Sequence, residues 1–380
     1  MGASTQTSLA SDAEIVRRIL AHVDAGTTDE GDAWREPVEN YLDPARFADE
    51  LRLLRCLPSV YVPSAAIPNP GDHVERVAFG VPLFAVRDRD HRARVFRNAC
   101  RHRGMALVDG AGCSHALVCR YHGWTYRLDG SLAHVPHAGG FPDLDMGPRG
   151  LVEVASREVD GLVVIDPDDT HDPAAAALDD GSPWRRKLLP AERLFHTEST
   201  VRAINWKVLV EQFLEGYHIH STHRETFFPL QYDNLNVVET FGPNSRITFP
   251  YRNIERLRDR PESTWAADGR VTFVYHLFPN VMLATFPDQV IAIVIDPVDL
   301  DHCTVTTYAM AEPGVLNEKT SRGGGVSLLD QGALEDNAMS AGVQQGLRAG
   351  ANEFVEFGRH ESAIGHFHAT LDARLAASAG

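Results

Sequence analysis

Two short stretches of the sequence decide the fold: CRHRG at residues 100–104 and CRYHGW at residues 119–124. Each contains one cysteine followed closely by one histidine, so together they offer two thiolates and two imidazoles to a metal. Such a set satisfies tetrahedral zinc, but classical zinc fingers place both cysteines before both histidines. The alternation of Cys and His favours a two-iron cluster, in which the cysteines bind one iron and the histidines bind the other. Structural zinc is the alternative.

The residues around these stretches agree with a cluster-binding fold. Gly104 and Gly123 follow the two Cys–His pairs, and glycine allows backbone amides to approach cluster sulfurs closely. The pattern C-x-H, sixteen residues, C-x-x-H resembles that of the Rieske [2Fe–2S] family. The resemblance implies a [2Fe–2S] cluster bound by Cys100, His102, Cys119 and His122.

The other cysteines do not indicate disulfides. The chain has five cysteines, three of them within twenty residues, and an odd number with this clustering is a poor disulfide framework. We expect Cys56, Cys113 and Cys303, which lie outside the motif, to be packing residues.

The composition is that of an ordinary globular chain with an acidic balance. Its 380 residues, 43% of them hydrophobic, give room for about two domains. The formal net charge of −16 argues against nucleic acid as a partner, because nucleic-acid binding needs a cationic face. No apolar run approaches the roughly 18 residues of a membrane span, and the first residues do not resemble a signal peptide. We therefore expect a cytoplasmic protein that does not interact with membranes.

Short strands surround the Cys–His stretches. Segments rich in Val, Phe and Tyr alternate with Pro and Gly over residues 59–98, which is typical of an all-β domain. The acidic, Ala-rich residues 166–180 predict a linker. Alternating segments over residues 246–311 predict an antiparallel meander, and residues 330–348 and 361–376 predict two C-terminal helices.

A second group of metal-binding residue types follows Asn205, which can cap a helix that we expect to run to about His218. At helical spacing Glu211, Glu215, His218 and Thr222 fall at steps of four, three and four and share one face. The face carries acids and imidazole without Lys or Arg. This composition fits metal or proton chemistry better than a solvated surface.

Two imidazoles and one carboxylate form the facial triad of non-haem Fe(II) oxygenases, which leaves coordination positions open for O₂. His218 and His223 are the candidate imidazoles, and His220 would point off the other side of a helix. Combined with the Cys–His motif, the segment resembles the terminal oxygenase (alpha) component of the Rieske non-haem iron oxygenases, of the aromatic-ring-hydroxylating and quaternary-ammonium type. That family's pattern of N-W-K, an acid, then x-x-H-x4-H is matched by NWK at residues 205–207 and by Glu215 and the two histidines.

The resemblance also implies the third ligand of the mononuclear iron. The family takes this ligand from a carboxylate in an E-D stretch on a C-terminal helix, shortly before Q-x-G-L. Here Glu335 and Asp336 precede QQGL at residues 344–347, which implies Asp336. Asp330 and Glu335 are the alternatives.

The resemblance extends from about Tyr41 to Leu375 and implies an α+β fold. We expect a small all-β Rieske [2Fe–2S] domain and a helix-grip (START-like) catalytic domain with an antiparallel sheet and C-terminal helices. The expected divisions are an N-terminal helical segment at 1–45 that packs on the catalytic domain, the Rieske domain at 46–165 and the catalytic domain at 166–380.

The implied activity is that of an oxygenase. The family uses O₂ and electrons from an external NAD(P)H-dependent reductase, a ferredoxin or flavin reductase, to hydroxylate or oxidatively demethylate a small organic substrate. We expect a monooxygenase and a homotrimer, in which electrons pass from His122 of one subunit through Glu215 to His218 of the next. A basic rim for reductase docking would come from Arg101, Arg103, Arg120 and Arg127.

Two other functions remain as alternatives. One is an arene cis-dihydroxylating dioxygenase, although such chains are commonly longer and bring a small β subunit. The other is an electron-transfer protein with a Rieske cluster and no catalytic iron. The joint presence of Glu215, His218, His223 and Asp336 argues against it.

Two features bear on the substrate. The bridging acid is usually Asp in this family, and Glu215 is similar to members that act on quaternary ammonium compounds such as carnitine or choline. Those members tend to have Cys where this chain has Gly216. Aromatic side chains could line an apolar pocket or form a cage for a cation. The candidates are Phe227, Phe228, Tyr232, Tyr251, Tyr275, Phe278 and Phe286.

Overall fold

The computed structural model describes residues 9–168, 193–315 and 328–378. They divide into two compact units, which we call the β unit (residues 54–168) and the α+β unit, which comprises the rest. The sequence analysis placed the boundaries of the Rieske domain after residue 45 and after residue 165. Most of the predicted linker lies outside the described residues.

Strands make up much of both units. In chain order the strands are β1 (Trp34–Pro37), β2 (Ser59–Pro63), β3 (Asp72–Ala78), β4 (Val81–Arg87), β5 (Ala93–Arg97), β6 (Ala111–Cys113), β7 (Leu117–Val118), β8 (Thr125–Tyr126), β9 (Leu132–His134), β10 (Glu153–Val159), β11 (Leu162–Asp166), β12 (Arg193–Arg202), β13 (Val237–Phe241), β14 (Asn244–Pro250), β15 (Val271–Leu277), β16 (Val281–Thr285), β17 (Val290–Pro297), β18 (Cys303–Ala311) and β19 (Phe354–Phe357). The α-helices are α1 (Asp12–Ala25), α2 (Glu39–Leu42), α3 (Pro44–Arg55), α4 (Trp206–Glu211), α5 (Ile219–Thr222), α6 (Leu328–Leu347) and α7 (Ser362–Ser378).

The β unit consists of a seven-stranded and a three-stranded antiparallel sheet. The strand order is β2-β11-β10-β5-β4-β3-β6 in the larger sheet and β7-β8-β9 in the smaller one. Phe84 and Trp124 are buried in one core together with Cys100 and Cys119. The small β domain predicted around the Cys–His stretches is therefore confirmed.

The α+β unit is built on a second seven-stranded antiparallel sheet, in the order β12-β18-β17-β16-β15-β14-β13. Helix α4 packs on β17 and on α6, while α7 packs on β13 and β14. The predicted architecture of an antiparallel sheet with C-terminal helices is confirmed. The sequence did not predict β12, because this edge strand is largely exposed and lacks apolar alternation. No helix among the described residues is both long and apolar enough to cross a bilayer.

The N-terminal helix α1 belongs to the α+β unit. Ser11 and Glu14 form a capping box at its start, and Gly26 in the left-handed region ends it. Its apolar face, which packs in one core with residues of β13 and β15, consists of Ile15, Val16, Ile19 and Leu20.

The NWK stretch anchors α4 to α3. The Asn205 side chain accepts a hydrogen bond from the Lys207 N–H at 3.0 Å and so caps α4. Trp206 Nε1 donates to Glu50 at 3.1 Å, and Lys207 Nζ lies 2.7 and 2.8 Å from the two Glu50 oxygens. The Lys207–Glu50 pair is fully buried. NWK therefore has a structural role that fixes the helix leading to the candidate histidines.

The predicted continuous helix from Asn205 to about His218 is wrong, because α4 ends at Glu211 and α5 starts only at Ile219. The Glu215 carboxylate accepts hydrogen bonds from the backbone N–H groups of Tyr217 and His218. A continuous helix would pair those two amides with carbonyls one turn earlier. The side chain thus replaces helical hydrogen bonds and turns the chain.

Candidate metal centres

The two Cys–His loops share one pattern of backbone hydrogen bonds. In each, the cysteine N–H donates to the carbonyl five residues later and the glycine N–H donates to the cysteine carbonyl. The distances are 2.8 Å in the loop of Cys100 and 2.9 Å in the loop of Cys119. Gly104 (φ 78°) and Gly123 (φ 71°) occupy the left-handed region. Both loops therefore need glycine for the turn itself.

These loops turn their thiols inward and their imidazoles outward. Cys100 and Cys119 are buried, whereas His102 is half-buried and His122 is exposed. The centroids of the two imidazole rings are 4.7 Å apart. Burial raises the pKa of the Cys100 thiol, so cluster binding has to displace its proton. Two thiolates and two adjacent imidazoles suit a Rieske cluster.

A tyrosine that the sequence reasoning missed supports the first loop. Tyr126 Oη lies 3.3 Å from Cys100 Sγ and accepts a hydrogen bond from the Arg101 N–H at 2.9 Å. The sequence feature that could have identified this residue is a tyrosine two positions after the CRYHGW stretch. Of the predicted basic rim, Arg101 is half-buried and Arg103, Arg120 and Arg127 are exposed. Within the described residues none of the four forms an ion pair with an acid.

The structure brings His218, His223 and Asp336 together. Asp336 Oδ1 lies 2.9 Å from His223 Nε2 and 3.6 Å from His218 Nε2. One potential ligand atom from each residue lies within 4.8 Å of the other two. The histidines flank α5 and the aspartate is on α6, so the group forms because α6 packs against α5.

A second carboxylate holds the other nitrogen of each histidine. His223 Nδ1 lies 2.8 Å from Glu335 Oε2, and His218 Nδ1 is hydrogen-bonded to Glu215. Both Nε2 atoms are thereby left as ligand atoms. Burial alone would lower the pKa of His218, but the hydrogen bond to Glu215 and the neighbouring carboxylate charges raise it.

The three residues fit a mononuclear iron. Two imidazoles and one carboxylate are the donor set of non-haem Fe(II) oxygenases, and here both imidazoles have a fixed orientation. Glu335 contacts His223 at Nδ1, whereas the Nε2 atom of the same ring faces Asp336 and His218. Of the three acids considered from the sequence, Asp336 is therefore the one in position to complete the set.

A cavity of about 190 Å³ reaches the three residues. It lies between α4–α6 and the sheet, and aliphatic and phenylalanine side chains make up most of its wall. Of the seven predicted aromatic residues, Phe227 and Phe286 line it. Phe213 and Phe249 also line it, and the sequence reasoning missed them. Tyr275 lies on the other face of β15, because its neighbour Val274 faces the cavity.

Known families match both parts of the chain. Residues 59–145 match the Rieske [2Fe–2S] domain and residues 189–377 match the ring hydroxylating alpha subunit catalytic domain. The chloroplastic choline monooxygenase of Beta vulgaris is 25% identical over 366 residues, which cover 90% of this chain and 78% of that protein. The carnitine monooxygenase oxygenase subunit of Escherichia coli K12 is 32% identical over 201 residues, which cover 50% of this chain and 53% of that subunit.

A solved structure agrees with the fold. It is a quaternary ammonium Rieske monooxygenase, reported to give insights into carnitine oxidation and inter-subunit electron transfer. The two structures align with a TM-score of 0.75 at 19% identity, and the alignment covers 98% of this chain and 100% of that one. The family predicted from the sequence motifs is confirmed by the two domain matches. The chain belongs to the Rieske non-haem iron oxygenases, as an alpha subunit with a Rieske [2Fe–2S] domain and a ring-hydroxylating-type catalytic domain.

Proposed function

We propose that this chain is the oxygenase component of a monooxygenase that oxidises a methyl group of a small quaternary ammonium compound. His218, His223 and Asp336 hold the mononuclear iron, and the two Cys–His loops hold the [2Fe–2S] cluster. When bound, the iron supplies O₂ activation and the cluster supplies electrons from an external ferredoxin or flavin reductase. The proposal is carried by two histidine Nε2 atoms turned toward one carboxylate at the wall of an apolar cavity.

Residues of the chain position the donor atoms and exclude water. Glu215 and Glu335 each accept a hydrogen bond from a histidine Nδ1–H, which fixes the orientation of the ring. The Thr226 hydroxyl donates to the same Glu335 oxygen at 2.7 Å and so holds that carboxylate in place. The apolar walls of the cavity would limit the access of bulk water to an iron held by these residues.

The cavity wall supports a cationic substrate rich in methyl groups. Four phenylalanine side chains line it, and aromatic faces attract alkylammonium groups. The two relatives described above are monooxygenases, one of choline and one of carnitine. These names favour monooxygenation of a quaternary ammonium compound over arene cis-dihydroxylation.

We also propose a homotrimer in which Glu215 connects the two metal centres of adjacent subunits. Its carboxylate already accepts a hydrogen bond from His218, and His122 is exposed on its loop. In this arrangement the same carboxylate accepts a second hydrogen bond from His122 of the adjacent subunit. The inter-subunit electron transfer described for the carnitine-oxidising structure supports the arrangement.

Both proposals can be tested by formaldehyde release. The iron- and cluster-loaded protein, supplied with a reductase and O₂, should release formaldehyde from choline, carnitine or a related trimethylammonium compound. Glu215→Gln should keep both metals and lose turnover, while the exposed control Glu225→Gln should behave as wild type. Undiminished turnover of Glu215→Gln would remove the bridging role. A cis-diol from an arene, with no oxidation of trimethylammonium compounds, would make the chain a dioxygenase.

A further inference from the structure

One cationic side chain faces the substrate cavity. Arg202, the last residue of edge strand β12, is the one guanidinium or ammonium group among the described residues that line it. Its strand partner is Cys303 of β18, and Val305 and Thr307 of the same strand also line the cavity. The iron-binding group lines the cavity from α5 and α6. A single small molecule in the cavity could therefore contact both the iron site and Arg202.

Arg202 has no hydrogen-bond or ion-pair partner among the residues that the structure describes, and its Nε atom is buried. The Arg202 side chain is half-buried, and two fully buried arginines among the described residues are paired. Arg87 binds both Glu158 oxygens at 2.7 and 2.9 Å, and Arg246 binds Glu239 at 2.5 and 2.8 Å. An unpaired guanidinium beside apolar walls is costly, so a ligand that pairs with it gains affinity.

We propose that Arg202 binds a carboxylate of the substrate and so selects zwitterionic quaternary ammonium compounds over simple cations. A guanidinium matches a carboxylate with two parallel hydrogen bonds. The cationic end would then lie among the phenylalanines, with a methyl group at the iron. This assignment rests on the proposed function for the cationic end, whereas the anionic end depends on Arg202 alone.

The experiment compares two ligands that differ in one charge. The first is 4-(trimethylammonio)butanoate and the second is its methyl ester, titrated calorimetrically into iron- and cluster-loaded protein. Wild type should bind the acid at least about tenfold more tightly than the ester. Arg202→Gln should remove this difference by weakening the acid alone, and Arg202→Lys should keep part of it. Arg193→Gln, an exposed arginine on the same strand, should match wild type.

The outcomes separate this assignment from the proposed function. Equal binding of acid and ester by wild type, or an unchanged ratio in Arg202→Gln, overturns the role of Arg202 and leaves the substrate class standing. If wild type binds pentanoate but neither trimethylammonium compound, and Arg202→Gln abolishes pentanoate binding, the carboxylate site stands and the quaternary ammonium class falls. If none of the three compounds binds, both are overturned.

Discussion

The two metal centres of this chain are assembled in opposite ways. Each cluster loop carries its own Cys, His and Gly within five residues, and each closes on itself through the same two hydrogen bonds. The mononuclear group joins His218 and His223 to Asp336, more than a hundred residues later. One centre is therefore specified by local turns, whereas the other depends on the packing of α6 against α5.

The histidines of the two candidate centres also differ in whether residues of the chain hold their ring nitrogens. His218 and His223 are each held at Nδ1 by a carboxylate. In the described part of the chain, the ring nitrogens of His102 and His122 make no hydrogen bond to any residue. The imidazoles of the candidate iron site are thus fixed from within the chain, whereas those of the candidate cluster site can take a partner from outside it. This difference suits the electron transfer proposed above, from the cluster of one subunit to the iron of another.

The largest expected effect is that a single substitution removes the metal of one centre and leaves the metal of the other in place. Asp336→Ala should lower iron from about three to about two per chain and keep the visible spectrum of the cluster, because the loops do not depend on α6. Cys119→Ser should lower iron to about one per chain and remove that spectrum. Metal analysis and visible absorbance measure both, with Asp330→Ala as the control expected to keep all three irons. Loss of every iron in either variant would show that the centres are not independent.

A smaller effect tests how the catalytic histidines are held. Glu335→Ala removes the carboxylate at His223 Nδ1, and losses of this kind weaken metal binding by about 10–100-fold. Glu335→Gln keeps an oxygen that accepts the same hydrogen bond, so it should lose less. Competition with an iron chelator measures the affinity. Equal affinities of Glu335→Ala and wild type would show that packing alone orients His223.

The same difference explains what could be predicted from the sequence. The Cys–His spacing was enough to single out the candidate cluster ligands, because a loop that closes on itself keeps its ligands adjacent in the chain, and the family resemblance assigned them to a [2Fe–2S] cluster. Asp336 needed a family resemblance, since no local pattern distinguishes it from Asp330 or Glu335. The structure separates these acids by placing Asp336 at the Nε2 atoms and Glu335 at Nδ1.

Two other errors had different causes, one a local side-chain contact and one the packing of distant segments. The continuous helix predicted after Asn205 ends early because the Glu215 side chain takes the backbone amides of Tyr217 and His218. Helical spacing still grouped Glu215 with His218, but the contact arises from a turn. Phe213 and Phe249 were missed as cavity residues because only the packing of β14 and the segment after α4 around one cavity brings them together.

The smallest effects concern the two loop glycines, which share a conformation but differ in surroundings. A side chain in the left-handed region costs about 1–2 kcal/mol, so Gly104→Ala should destabilise the β unit by about that amount. A Cβ at Gly123 would also lie 3.1 Å from Pro136 Cγ, whereas one at Gly104 meets no atom within 4 Å. Gly123→Ala should therefore lose more stability than Gly104→Ala.

Chemical unfolding of the cluster-loaded protein, followed by visible absorbance, measures both losses. Gly139→Ala is a matched control, because Gly139 lies in the same unit without a left-handed φ and with open space around it. If Gly104→Ala unfolds at the same denaturant concentration as this control, the left-handed turn is not what requires glycine. Asparagine tolerates the left-handed region better than alanine, so Gly104→Asn should recover part of the loss. If asparagine restores stability at residue 104 but not at residue 123, the additional loss of stability at residue 123 comes from the contact with Pro136.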